Sequence, residues 1–444
     1  MSDFEKHPRN NPDLLKGVQN FADAAGKAAA AAGGAVADAA SAGAEAAAAG
    51  AKRVHQAFGG EYGDEIESNV KQEDGTYVLP SPLIDSREDA DIQFIKDRYE
   101  RLTSPGLLAK AGEKISAAVP KEVTSFVSQA GDAAKEAWNG LSEQELMQRA
   151  IKVAADGFGE LEKQAAKATV SKEYVLQRIN EGKQSQKVSD LSEICLLRAY
   201  DVAAVTANER LQHMGIALVE GGGTGAAGFW GLPANLALSM LIYFRAVQSV
   251  AMFYGYDVKD DPAELVIASE VFSEALAPGA HGGMQTDLVG KLLVYAEAAG
   301  IQQAAKKSWS AMVAQGGAAL LIAQTRALAN GAARKAVEKG GRKALEVGVF
   351  KNALKQVGKQ LSLKTVGKAI PFIGAGFGAL FDTAQMSKIL EFADLYYHKR
   401  FIVEKPARID ALFGKVDEVE AEIPEELVEE LADDIVEAED GSED

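Results

Sequence analysis

The chain has 444 residues, 47 lysines and arginines against 64 aspartates and glutamates, and a formal net charge of -17 at pH 7, a length that allows two or three domains. Alanine-rich stretches dominate over β-branched or aromatic runs, which points to a large helical protein and argues against an all-β fold. The single cysteine, Cys195, sits among Ile194, Leu196 and Leu197, so an intrachain disulfide is excluded, a reducing compartment is expected and the thiol reads as core.

From the amino end, residues 1–20 are polar and mixed in charge, with no basic patch leading into an apolar stretch. No secretory signal is readable there, and a cytoplasmic location is expected. Residues 21–57 are mostly alanine, which favours helix but buries little area per side chain. Residues 61–85 contain Gly63, Gly75, Pro80 and Pro82 and read as a connector with a short extended piece at Tyr77–Leu79. A helix is expected from Ser86, with Ile92, Ile95, Tyr99 and Leu102 inward and Ser104-Pro105-Gly106 as its stop. Ser142 and Glu145 have capping-box spacing and open another, with Leu146, Ala150, Val153 and Ala154 as its apolar face. The expected organisation is an alanine-rich accessory region with linker at 1–135, a helical domain at 136–408 and an acidic tail at 409–444.

Asp190 and Glu193 form a second capping box, and Ile194, Leu197, Tyr200, Ala204, Ala207, Leu211, Met214 and Leu218 then recur at helical spacing. One helix running to the glycine-rich stretch Gly221–Gly231 is expected. Gly223, Gly225 and Gly228 fit G-x-G-x-x-G, but a dinucleotide loop needs a strand before it and an acidic residue about 20 positions beyond. Here a helix end precedes it and the next carboxylate is Asp257. No Lys-Ser or Lys-Thr follows the glycines, which excludes a phosphate-binding Walker loop. The glycines therefore read as an apolar helical corner. No cofactor is expected.

Catalytic motifs are not evident. His7, His55, His213, His281 and His398 are scattered and make no metal-ligand spacing, and no G-x-S-x-G elbow is present. His281 lies in a glycine-rich loop, and Arg245 and Asp257 flank an apolar helix beside Tyr254 and Tyr256; these three are candidates for a pocket, with a structural polar cluster as the plainer reading. Three uncharged stretches, Gly221–Phe244, Ser308–Thr325 and Ala369–Phe381, are tested as membrane spans. The first holds six glycines and Pro233 before its apolar helix begins, the second carries Ser308, Ser310, Gln315 and Gln324, and the third is short, so buried core helices are expected.

Gly231-Leu232-Pro233, the apolar helix containing Arg245, and Ala251-Met252-Phe253-Tyr254-Gly255-Tyr256-Asp257 resemble the EcsC family. Ile370-Pro371-Phe372-Ile373-Gly374-Ala375-Gly376-Phe377-Gly378-Ala379, followed by Ala393, Tyr396, Tyr397 and Arg400-Phe401, resembles that family's closing segment. The likeness covers roughly 190–405. It implies an all-α, multi-helix domain with two glycine-rich apolar segments, of bacterial type, cytoplasmic or membrane-associated, and it carries no catalytic residues.

Charge is distributed unevenly. Residues 409–444 hold 16 acidic residues and one basic residue, Lys415, a net of -15 that leaves -2 for the remainder of the chain. Residues 326–368 hold 11 basic and two acidic residues, a net of +9, and run directly into Ala369–Phe381. A basic helical stretch beside an apolar segment suits an anionic membrane surface. Arg342, Lys343, Lys351, Lys355 and Lys359, with Phe372 and Phe377, are the expected contacts with a membrane or membrane protein, the three later lysines sharing a face at i, i+4 spacing. With one aromatic, Phe350, the stretch offers no stacking platform for nucleic acid. In the tail, Pro424 suits a first helical turn and Ile423, Leu427, Leu431 and Ile435 form a stripe, which makes the tail either a solubilising extension or an arm that covers the basic segment. The expected function is non-enzymatic and peripheral at the inner membrane face or at a transporter. A hydrolase or other enzyme with a dispersed active site is the alternative.

Overall fold

The computed structural model describes residues 68–103, 143–182, 186–210, 232–276, 284–295, 301–362, 379–415, 421 and 423–436. Among them the only sheet is a parallel pair of two-residue strands, β1 (Ser68–Asn69) and β2 (Gln186–Lys187). The helices are α1 (Ser86–Thr103), α2 (Glu143–Ala165), α3 (Lys172–Asn180), α4 (199–210), α5 (Leu232–Phe253), α6 (Pro262–Leu276), α7 (Met284–Val294), α8 (Ile301–Ala304), α9 (Trp309–Ala314), α10 (Gly317–Ser362), α11 (Ala379–Leu412) and α12 (Glu425–Val436). The fold is all-α.

The centre of the bundle is α6, packed by α10, α11, α5 and α7. Its start follows from sequence: Asp261 accepts the Ala263 amide at 2.9 Å, and Pro262 occupies the first turn, where its missing N–H is no loss. Every residue from Ala263 to Leu276 is buried, Glu264, Glu270 and Glu274 included. Beside it α5 carries an 18-residue window, Leu236–Phe253, with a mean hydropathy of 1.6, and 89% of that window is buried inside the protein. Its apolar surface is therefore used in the core, where Phe244 stacks on Phe350 and tilts against Phe272.

α1 follows the expected pattern, with Ile92, Ile95 and Tyr99 buried and Leu102 half-buried. It belongs to the same hydrophobic core as α5, α6 and α11, so the part of the 1–135 region described here is built into the bundle. The short extended piece appears as an antiparallel bridge from Lys71 to Tyr77. Cys195 is buried, and burial pushes its thiol up.

The helix expected to run unbroken from Leu191 is divided. The Asp190 and Glu193 capping box exists, but it opens a 3₁₀ turn over Leu191–Leu196 that ends in extended backbone at Leu197. The cause is tertiary. Glu88 on α1 accepts the Ala199 amide at 2.9 Å and the Arg198 Nη1 at 3.1 Å, and so supplies the cap from which α4 starts anew.

Glu88 is also the partner of Lys405 on α11, at 2.6 Å with both side chains at 0% exposure. Its fourth donor is the Asp85 amide, at 3.1 Å, as Asp85 in turn accepts the Glu88 amide at 2.8 Å. One carboxylate thus caps two helices and neutralises a third. Burial still pulls the Lys405 ammonium below its ordinary range, with Glu88 opposing. A buried pair of this kind is costly to break from one side, by about 3–5 kcal/mol. Lys405→Met is expected to lower the unfolding free energy by that order in urea titrations followed by circular dichroism. The double variant Glu88→Gln/Lys405→Met should recover part of the loss; additive losses would show that the two groups do not act as a pair.

Candidate functional site

The basic stretch forms most of α10, a helix of 46 residues broken at Gly341, whose φ of 79° and ψ of 176° are open to glycine and strained for other residues. The acidic α12 lies along it. Val428, Leu431, Ala432 and Ile435 are buried, an i, i+3, i+4, i+7 face. Two glycines of α10 make room for that face: a Cβ on Gly331 would stand 2.6 Å from the Val428 Cγ1, and one on Gly348 would stand 2.8 Å from the Ile435 Cγ2 and collide with the Ile435 carbonyl. Along the rim, Lys335 pairs with Glu425 and, at 3.3 Å, with Glu429, while Lys339 pairs with Asp433 at 2.6 Å. The sequence stripe of Ile423, Leu427, Leu431 and Ile435 is rotated in the structure: Val428 joins the buried face and Leu427 is only half-buried. Gly331 and Gly348 set that rotation, because they leave room where Val428 and Ile435 fall.

The five expected basic contacts divide. Lys343 is exposed. Arg342 donates to the backbone carbonyls of Lys259 and Asp260 and lies 3.7 Å from Glu346. Lys351 is buried, at 3% exposure, next to Asn352, and Lys355 is half-buried. The face shared by Lys351 and Lys355 therefore turns inward, because the apolar side of this part of α10, Val349, Phe350, Ala353 and Leu354, packs into the core with them. The Lys359 side chain, Phe372, Phe377, His281 and the glycine-rich 221–231 segment lie outside the described residues.

Arg245 and Asp257 do not meet. Arg245 bonds Glu162 at 2.7 Å and Gln248 at 2.9 Å. Asp257 accepts the amides of Lys259 and Asp260, each at 3.0 Å, and pairs with Lys172 at 2.6 Å. Lys172 also pairs with Asp260, so its ammonium is held high by these two carboxylates.

Of the charges that dominate the interior, only Arg400 falls within a family motif singled out in the sequence, and none was read as buried. On α11 every residue from Leu395 to Pro406 is buried. Arg400 forks onto Glu264 at 2.7 and 2.6 Å and reaches Glu404 at 2.9 Å, with Tyr256 stacked under it at 4.0 Å. Glu404 receives Arg326 at 2.7 Å and the Tyr256 hydroxyl at 3.1 Å. Burial alone would raise the Glu404 carboxyl; Arg400, Arg326 and Arg408 overcome it and hold the group at about 2. Lys399 donates to the Leu293 and Tyr295 carbonyls at the end of α7, where a cation suits the helix dipole. Sequence periodicity missed these groups because charged residues on a helix are assigned to its wet side. The available signal was the dense sequence Tyr396–Lys405, in which aromatic and charged residues alternate without leaving a polar face.

Glu270 differs from this set. It is 4% exposed and its Oε2 has no hydrogen-bond partner. Burial pushes its carboxyl up to about 8, Gln356 opposes with a hydrogen bond, and Glu274 and Asp434 add to the rise. Asp434 belongs to α12, so the protonated form favours the docked helix. The folded carboxyl keeps its proton to about 8 whereas an unfolded one loses it near 4.5, so the folded state binds more protons in that window and stability falls as pH rises through it. Glu270→Gln is expected to flatten this slope, read as urea midpoints between about pH 5 and pH 9; an unchanged slope would assign the linkage to another group.

Among the described residues, no group of three or more histidine, cysteine, aspartate or glutamate side chains is arranged to hold a metal ion. The sequence model described as the EcsC protein family matches residues 100–402, extending further toward the amino end than the motifs read above. No curated protein and no solved structure matches the chain.

Proposed function

The chain belongs to the EcsC protein family, and we propose that it is a non-enzymatic helical protein that docks reversibly on the cytoplasmic face of a membrane, or on a membrane protein such as a transporter, with α12 as a removable cover. The observation that carries this reading is the seat of α12. An acidic amphipathic helix fills a glycine-notched face of a basic helix and occupies its rim lysines. Removal of α12 would bare an apolar groove flanked by Lys335 and Lys339. That combination suits an anionic leaflet, since buried apolar side chains and basic residues both contribute, the latter about 1 kcal/mol each near the surface.

The rim pairs are exposed on the glutamate and aspartate side, at 54–71%, so salt weakens them and each contributes little to stability. The hold of α12 rests mainly on four apolar side chains, which makes exchange against another surface feasible. The enzyme alternative has less support: Arg245 and Asp257 are each committed to separate structural partners.

Co-flotation with neutral and anionic vesicles over a salt series tests the reading with three proteins: the full chain, a truncation lacking 416–444, and Leu431→Asp. Both altered proteins are expected to float on anionic vesicles more than the full chain, and added salt should reverse the gain. Equal flotation of all three would remove the cover, and failure of all three on both vesicle types would sink the membrane reading.

A further inference from the structure

Among the described residues the large apolar side chains left in solvent are Val78, Leu79, Phe94, Val294, Tyr295 and Phe413. Single residues of this kind are ordinary on a protein surface, whereas a group of them marks a contact. Two segments bring such a group together. Residues 70–78 form a hairpin, in which the Val78 amide donates to the Val70 carbonyl and the Gln72 amide to the Thr76 carbonyl, each at 2.8 Å, with Gly75 in the turn at a φ of 83°. The bridge sets Lys71 opposite Tyr77, so the two side chains rise from one face, and Leu79, two residues on, follows Tyr77 to that face. From the other segment, the end of α11, Phe413 sets its ring edge-on to Tyr77 with the centroids 5.8 Å apart.

The way α11 stops fixes the place of Phe413. The Gly414 amide donates to the Ala411 carbonyl at 3.0 Å and the Lys415 amide to that of Asp410 at 2.9 Å, a Schellman closure that uses the left-handed φ of 67° at Gly414. Phe413 is 45% exposed in spite of its aromatic neighbour, and Leu79 is exposed to the same degree. Two cations border the rings: the Lys71 Nζ lies 5.7 Å from the centre of Tyr77 and the Lys415 Nζ 5.9 Å from that of Phe413. Both lysines are exposed, and neither makes an ion pair among the described residues. Of the acids on the two segments, Asp74 is taken up by the amide and hydroxyl of Thr76, at 2.9 and 2.6 Å, Asp410 is half-buried, and Glu73 is exposed in the turn.

Exposed rings and an aliphatic side chain bordered by unpaired lysines are the make-up of an interfacial anchor. Aromatic rings settle at headgroup depth, aliphatic side chains reach the acyl boundary, and long lysine side chains extend to the lipid phosphates. We propose that Tyr77, Leu79 and Phe413, bordered by Lys71 and Lys415, anchor the protein in the headgroup layer of an anionic bilayer. The anchor rests on the membrane reading above but not on the α12 cover, because these side chains are exposed while α12 is seated. Residues 416–424 join Lys415 to α12 and span at most about 35 Å, so an anchored Phe413 keeps the seat of α12 near the same surface.

The test is co-flotation with phosphatidylglycerol vesicles of the full chain, Phe413→Asp, Leu79→Asp and, as a control away from the patch, Phe94→Asp. All three side chains are exposed, so native helicity is expected and is checked by circular dichroism. Flotation should fall about tenfold or more for Phe413→Asp and Leu79→Asp and stay unchanged for Phe94→Asp. The double variant Lys71→Gln/Lys415→Gln should lose flotation at low salt and match the unaltered chain at high salt. Unchanged flotation of Phe413→Asp and Leu79→Asp would overturn the anchor and leave the α12 reading in place; an equal loss for Phe94→Asp would overturn it as well, by showing general apolar adhesion. Failure of every protein to float, Leu431→Asp included, would remove the membrane reading and the anchor together. An environment-sensitive fluorophore on Phe413→Cys, with Cys195 buried and shielded from labelling, should shift to the blue on addition of vesicles; unshifted emission from protein that floats would exclude Phe413 from the contact.

Discussion

Burial of charge on α11 is the constraint on which the remaining structure depends. Arg400, Glu404 and Lys405 sit at 1% exposure or less, and an ion removed from water without a partner costs several kcal/mol even after relaxation. Each of them therefore dictates the position of another element. Arg400 requires Glu264 and so fixes the first turn of α6; Glu404 requires Arg326 and so fixes α10; Lys405 requires Glu88 and so fixes α1. Apolar packing supplies most of the driving force for collapse, but it is tolerant of small slips along a helix. Forked and multiply shared ion pairs are not, and they select one register for four helices at once.

The Tyr254-Gly255-Tyr256-Asp257 sequence is the junction where these demands meet. The Tyr254 hydroxyl bonds Asp394 at 2.8 Å, and Asp394 also holds Arg210 at 2.7 Å. Gly255 has a φ of 80°, and a Cβ there would stand 2.6 Å from the Leu191 carbonyl. Arg408 crosses the same point, donating to the carbonyls of Tyr254 and Gly255 and lying 4.5 Å over the Tyr256 ring. Tyr256 reaches Glu404, and Asp257 turns the chain into the loop that Lys172 and Arg342 hold. The family motif is thus a structural joint, in which aromatic bodies fill the core and their hydroxyls satisfy buried acids.

How far the sequence could be read depended on whether a feature is local. The all-α class, the start of α1 and the burial of Ile92, Ile95 and Tyr99 rest on helical period and capping within one segment, and these were legible. The division before α4 was not, because the Glu88 carboxylate that causes it lies 111 residues earlier. The inward turn of Lys351 was equally hidden, since charge alone assigns such a residue to solvent. Arg245 and Asp257 were read as one polar cluster, whereas Arg245 binds Glu162 and Asp257 binds Lys172, partners that no local pattern in the sequence identifies. Gln248 gave no signal, because an unmet donor is a property of surroundings.

The contact between Glu88 and Lys405 spans 317 residues. Closure of so long a loop is entropically unfavourable until many other contacts are in place, and a chain synthesised from its amino end makes the acid long before the base. While the ribosome is still elongating, Arg198 is the one of the two cationic partners of Glu88 already made, and Lys405 is still to come. The ion pair that ties α1 to α11 therefore closes only after α11 has been made. Before that moment α6, buried along its whole length in the finished fold, lacks α11 and exposes apolar side chains that favour association of incomplete chains.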